Sequence, residues 1–243
     1  MYNMRIVIIA LLLFFCSFTI WAEETSLITA AVPTDFPPFA FAEKGEVKGF
    51  DIDLLSAVAT QLKKTVKFLP VKSNFVVSAV ASKLADLGAG GLSITEKRKE
   101  HVDFTIPYFD SGFVLVIRKN YEDVDINKLQ GKKIGTYIND LTRHFIGTLN
   151  LDKNIISGEY NFLFEELISG GIDAVFVDYP HATYMISHYY KDTLKITGPL
   201  YFQHQYAFVI QKNHPLKKDI DRALKNILDS STYQSIYTKW FGD

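Results

Sequence analysis

Ala85-Asp86-Leu87-Gly88-Ala89-Gly90-Gly91-Leu92-Ser93-Ile94-Thr95-Glu96-Lys97-Arg98 reads as a buried strand that runs into a glycine-rich turn and then into a helix start. Glycines at 88, 90 and 91 let another group approach the backbone, because no Cβ stands in the way. Thr95 is placed to cap a helix whose first turn holds Glu96 and Arg98. Free N–H groups at a helix start favour an anion, and the planar guanidinium of Arg98 matches a carboxylate with two parallel hydrogen bonds. The segment therefore reads as a carboxylate receptor. Each piece alone has a plainer reading: Arg98 lies in the charged run 96–100, where a solvated side chain is the ordinary case, and the glycines alone would only end a strand.

Outward from this stretch, short apolar runs alternate with helical periodicity, the pattern of βαβ units in an α/β fold. Strands are expected at 27–32, 66–70, 87–90, 112–118, 133–136, 174–177 and 206–210. An amphipathic helix follows Asp51, with Ile52, Leu55, Ala59 and Leu62 on one stripe and Asp51 or Asp53 to cap it. Other helical stretches fall at 75–84, 141–149, 162–169, 181–189, 216–228 and 233–241. Segments 108–114 and 200–206 look like strand crossovers. If both join the same two lobes, the second lobe is an insertion: residues 23–111 and 205–243 form lobe 1, and 112–204 form the hinge strands and lobe 2. Such an arrangement places a cleft between the lobes and a hinge beneath it.

The N-terminus reads as a targeting segment. Asn3 and Arg5 make a polar, positive start, and the apolar run 6–21 falls short of the roughly 20 residues needed to cross a bilayer. Ala22 before Glu23-Glu24 offers a processing point, so residues 1–22 are expected to be a cleaved signal peptide and the protein to be periplasmic. The single cysteine, Cys16, leaves with that segment. The remaining chain of about 220 residues must be stabilised by its core rather than by disulfides. A formal net charge of −1 argues against a nucleic-acid footprint. The six histidines, among them His181, His188 and His204, show no metal-ligand spacing, and His181 and His188 read as surface residues on a helix.

Five motifs carry a family resemblance across nearly all of the expected mature chain: Gly49-Phe50-Asp51-Ile52-Asp53-Leu54; Gly91 to Arg98; Val102-Asp103-Phe104-Thr105 with Pro107-Tyr108-Phe109; Asp173-Ala174-Val175 with Asp178; and the ending from Tyr233 to Gly242. In these the chain resembles family 3 of the extracellular solute-binding proteins, the polar amino acid-binding components of ABC importers. The resemblance implies a type II periplasmic binding protein-like fold, with two lobes and a hinge of two crossovers. It implies a monomer that closes on an amino acid or related zwitterion without a cofactor and passes it to an ABC permease. It also implies that Arg98 grips the ligand carboxylate with help from Ser93, that the Gly91 carbonyl and Asp178 receive the ammonium, and that Phe36 and Phe75 wall the ligand side chain. Read without the family, Asp178 is a turn residue before Pro180, and Phe39 and Phe75 are ordinary core.

Two departures bear on the ligand. Where relatives carry a Gly-Thr or Gly-Ser pair, this chain has Tyr137-Ile138-Asn139-Asp140-Leu141-Thr142. Either Asp140 caps its helix, with Thr142 or a backbone N–H meeting the ligand, or the ligand differs. Pro33 likewise replaces a residue that some relatives use to read the ligand side chain. Two other functions use the same fold: a cyclohexadienyl or arogenate dehydratase, with Glu165 or Asp178 as general acid, and a sensor module for a membrane partner. No acid–base pair or nucleophile pattern supports an enzyme, and no second apolar stretch of spanning length follows the first, which favours a free binding protein.

Overall fold

The structure, a computed structural model, describes residues 27–148 and 154–242. The segment read as a signal peptide, with Cys16, lies outside the described residues. The chain opens with strand β1 (Leu27–Pro33), a small antiparallel ribbon of β2 (Asp35–Phe36), β3 (Ala40–Glu43) and β4 (Glu46–Lys48), and helix α1 (Phe50–Gln61). Then come β5 (Thr65–Val71), α2 (Val76–Ala81), β6 (Leu87–Gly88), α3 (Glu96–Lys99), β7 (Val102–Phe104) and the long β8 (Phe109–Arg118). The middle of the chain gives β9 (Ile134–Thr136), α4 (Asp140–Thr148), β10 (Ile155–Ser157), α5 (Tyr160–Ser169), β11 (Ala174–Asp178) and α6 (Tyr179–Met185). It returns through β12 (Leu194–Tyr206) to β13 (Val209–Gln211), α7 (Lys217–Leu228) and α8 (Ser231–Phe241).

These strands build two five-stranded sheets, ordered β5-β1-β6-β13-β7 and β10-β9-β11-β8-β12. The first sheet draws on both ends of the chain and the second on its middle, so the molecule is a two-lobed α/β structure. Both expected crossovers lie within long strands that pair with each other: β8 and β12 run antiparallel from Arg118↔Leu194 to Phe109↔Tyr206, with register breaks around Tyr201. At the Tyr206 end this ribbon meets lobe 1, where Tyr108 N–H donates to the Tyr206 carbonyl at 3.0 Å and Ser93 pairs with Tyr206. Phe109, Tyr206 and Phe241 pack edge-to-face or tilted at 5.0–5.7 Å around the Phe39 ring, which is fully buried.

Helix α1 starts after Gly49, whose φ of +143 suits a residue without a Cβ; a Cβ there would stand 2.1 Å from the Phe39 carbonyl oxygen. The expectation that Asp51 or Asp53 caps this helix is corrected: neither does. Asp51 points inward, is wholly buried, and its Oδ2 accepts from Gly90 N–H (2.5 Å), Gly91 N–H (2.9 Å) and the Tyr108 hydroxyl (2.6 Å). Burial pushes its pKa up to about 6, against the pull of those three donors. Asp53 turns to the C-terminal helix α8 and accepts from Lys239 Nζ (2.6 Å) and Trp240 Nε1 (2.7 Å).

Asp51→Ala leaves two amides and a phenol buried without an acceptor, and we expect it to cost about 3 kcal/mol or more of unfolding free energy. Asp51→Asn keeps an acceptor for the amide pair and is expected to cost clearly less. Guanidinium unfolding of the two variants beside the wild type measures the difference; equal losses would show that the missing acceptor is not what matters.

Candidate functional site

The Gly90-Gly91 turn that Asp51 holds forms one wall of a cavity of about 340 Å³ that lies between the two sheets, a size typical of a site for one small molecule. Gly91 has a φ of +65, and a Cβ on it would lie 2.5 Å from the Phe36 ring, so the turn and the aromatic wall fit only with glycine. Beyond the turn, Ser93 is nearly buried, and the Thr95 side chain caps α3 by accepting from Arg98 N–H at 3.3 Å. Arg98 Nη1 donates to the Ser93 carbonyl at 2.8 Å, which turns the guanidinium back over the loop to line the cavity. Helix α3 has four residues, so its dipole adds little, and the positive charge it brings to this wall is that of Lys97 and Arg98.

Lobe 2 supplies the opposite wall. Asp178 is the last residue of β11, is 5% exposed, and lines the same cavity as Arg98. Its carboxylate accepts a hydrogen bond from the Tyr206 hydroxyl, and His204 Nε2 stands 3.2 Å from its Oδ1. Burial, reinforced by Asp178, holds the Tyr206 and Tyr160 phenols well above their ordinary pKa, so they remain donors. For His204, burial works against the proton, but the hydrogen bond and charge of Asp178 outweigh it and raise the pKa. Its Nδ1 faces the Phe202 carbonyl at 2.8 Å, so both ring nitrogens stand against oxygen atoms.

The β2 segment of lobe 1 reaches across to lobe 2. Phe36 stacks on His181 (centroids 5.0 Å, 11° apart) and lies 6.0 Å from Tyr160, while His181 Nδ1 is 2.5 Å from the Pro37 carbonyl oxygen. His181 is therefore not the surface residue expected from its helical setting: it is 1% exposed, and burial pushes its pKa down to about 4. A neutral ring under Phe36 is what an apolar seam between lobes tolerates. His188 is exposed, as read. Asp35 and Glu159, one from each lobe, line the same cavity, and burial together with the charge of Asp35 raises the Glu159 pKa.

Of the expected site residues, Gly91, Ser93, Arg98, Asp178 and Phe36 all line this cavity, and Phe75 and Thr142 are outside its wall. Phe75 is 54% exposed on a short turn whose neighbours Asn74 and Val76 face the cavity. The Thr142 hydroxyl is buried and occupied locally, donating to the Tyr137 carbonyl and accepting from Asn139 N–H, both at 2.9 Å. The cap of α4 is Asn139, whose Oδ1 accepts from Leu141 and Thr142 N–H at 2.9 and 3.0 Å, rather than Asp140. Glu165 is exposed and bound by the Tyr190 hydroxyl at 3.0 Å, outside the cavity wall and so not placed as a general acid there. Sequence reasoning missed Asp35, Glu159, Tyr160, His204 and Tyr206. Each meets its partners from a distant part of the chain, and only the aromatic stretch around Phe36 hinted at Asp35.

Comparison with known proteins gives a consistent picture. The family model described as bacterial extracellular solute-binding proteins, family 3, matches residues 28–243. The arginine-binding periplasmic protein of Mannheimia haemolytica is 31% identical over 237 residues, covering 95% of this chain and 96% of its own. ABC transporter arginine-binding protein 1 of Escherichia coli (strain K12) is 28% identical, with 98% of both chains covered. Among solved structures, an ancestral arginine-binding protein bound to arginine matches with a TM-score of 0.82 at 31% identity, covering 89% of this chain and 98% of its own.

The His181 seam has a pH signature. Since His181 ionises near 6.5 when unfolded and only near 4 when buried, its neutral form stabilises the closed seam above about 6.5, and that contribution is lost as the pH falls towards 4. Relative to His181→Asn, which keeps an N–H for the Pro37 carbonyl, the wild type should lose up to about 3 kcal/mol over that interval. Unfolding curves of both proteins at several pH values test this; parallel pH profiles would refute it.

Proposed function

The chain belongs to family 3 of the bacterial extracellular solute-binding proteins, and from that premise we propose that it captures an amino acid between its lobes, outside the cytoplasmic membrane, and delivers it to an ABC importer. Arg98 receives the α-carboxylate, assisted by Ser93. Asp178 and the Gly91 carbonyl receive the α-ammonium, and Phe36 covers the side chain. The observation that carries this reading is that a guanidinium from lobe 1 and a carboxylate from lobe 2 line one small cavity. A zwitterion buried there loses its hydration at both ends and needs an opposite charge at each.

The contact of His204 with Asp178 suits the same role. An ammonium entering beside Asp178 takes over a partner that the imidazole holds, so exchange replaces desolvation of a bare carboxylate. The closed seam of Phe36, His181 and Pro37 fits a protein that encloses its guest and leaves it chemically unchanged. The relatives named above are binding proteins of periplasm and ABC transporter, which supports the same compartment and partner here.

Arg98→Ala and Asp178→Ala should each abolish detectable binding. Removing one partner of a buried ion pair costs about 3–5 kcal/mol, against a total of only about −8 kcal/mol for a micromolar ligand. Thermal-shift screening of the common amino acids identifies the ligand, and titration calorimetry on the two variants, after circular dichroism confirms that they fold, measures the loss. Unchanged affinity in either variant would overturn the assignment of that residue.

A further inference from the structure

His181 takes no part in the ligand contacts proposed above, yet it stands directly behind one of them. Its ring stacks on Phe36, the cavity wall that lobe 1 contributes, with centroids 5.0 Å apart and planes at 11°, and Tyr160 of α5 lies 4.5 Å from it. Its Nδ1 is 2.5 Å from the carbonyl oxygen of Pro37, the next residue after Phe36. Further along α6, Tyr184 meets Phe41 of β3 with ring centroids 6.0 Å apart, so the small ribbon of lobe 1 touches this helix of lobe 2 at two points. The aromatic wall over the cavity is therefore held from the opposite lobe, and His181 is the side chain that holds it.

The geometry also fixes the protonation of the ring in this closed arrangement. A carbonyl only accepts, so the Pro37 contact places the hydrogen on Nδ1. Nε2 is buried without a hydrogen-bond partner among the described residues. A second proton would have to sit there as a buried charged donor with no acceptor, the costliest way to leave such a group. Burial accordingly pushes the pKa down to about 4, against the pull of the Pro37 carbonyl, of Asp178 at the end of β11 and of Asp35 on β2. Tyr160 on α5 brings no charge, because its own burial keeps the phenol protonated. A hinge opening carries Phe36 and Pro37 away with lobe 1, and water then reaches the side of the ring they covered.

Resting on the amino-acid reading above, we propose that His181 is a positioning residue for the ligand: its neutral ring holds Phe36 against the guest while the lobes are closed, and a proton on it releases that wall, so the grip on the amino acid weakens in acid. The balance is simple, one proton being taken up from solvent for each molecule that opens. The closed form excludes that proton, so it keeps its full advantage above about pH 6.5, and loses up to about tenfold of it per pH unit as the pH falls from there towards 4.

Calorimetric titration at several pH values, with the amino acid identified by thermal shift, tests this. In the wild type the Kd should rise about tenfold or more between about pH 7.5 and about pH 5. His181→Asn keeps an N–H for the Pro37 carbonyl without a titrating ring, and His181→Phe keeps the stack on Phe36 without the hydrogen bond. In both variants the Kd should change by less than about threefold over that interval. A merely structural role would weaken binding at every pH alike and leave the slope in place. A flat profile in the wild type, or the wild-type slope retained in either variant, would overturn the proposal and leave the amino-acid reading standing. Should no amino acid bind at any pH, that reading falls, and small-angle scattering of the protein alone decides for His181: the wild type should expand between the two pH values and His181→Asn should not, whereas equal radii throughout would overturn its role.

Discussion

One buried carboxylate organises lobe 1. Asp51 accepts two consecutive amides, Gly90 and Gly91, and the hydroxyl of Tyr108. The amides belong to the turn that lines the cavity, the hydroxyl to the residue before β8, and Asp51 itself to α1. A single group thus sets the separation of helix, turn and hinge strand. An inward-facing carboxylate is costly, as its pKa near 6 attests, but its donors are backbone and phenol groups that would otherwise be buried unpaired. The position of Arg98 follows from this, because its guanidinium is tethered to the Ser93 carbonyl just beyond the turn.

Lobe 2 uses a different device. Asp178 stands at a strand end, where side chains of an α/β sheet face the crevice, and its donors Tyr206 and His204 both lie on β12. The residue proposed to meet the guest is therefore wired to a strand that joins the lobes. A change of partner at Asp178 alters the hydrogen bonding of β12 close to its register breaks, which is where a ribbon bends most easily. Under the proposed ligand role of Asp178, that connects the hinge to occupancy through side chains already in contact.

Much of this was legible in the sequence because it depended on local pattern. The alternation of strands and helices gave the α/β class; the Thr95 cap and Arg98 were readable from spacing; the two crossovers were visible as segments and proved to be neighbouring strands. What escaped had long-range causes. Asp51 looked like a helix cap because carboxylates near helix starts usually are, and only the fold brings Gly90 and Gly91 to it. His181 sits on a helix whose exposure depends on the Phe36 segment of the other lobe lying over it. Thr142 was assigned a ligand by analogy, whereas the local preference of Asn139 for a helix cap used its hydroxyl first. The three-residue strands β7 and β10 lack enough alternation to be seen at all.

The strand order of the first sheet has a further bearing on how the molecule is assembled. β13 lies inside that sheet, between β6 and β7, yet it is made only after the whole of the second sheet. Lobe 2 is one unbroken stretch of chain and can collapse on itself as it is synthesised. Lobe 1 holds an open slot between β6 and β7 until residues 209–211 arrive, so its early half stays unfinished while the rest of the chain is still emerging. Chain order therefore requires that the first sheet be completed only after the whole of the inserted lobe has been made, with β13 filling the slot between β6 and β7.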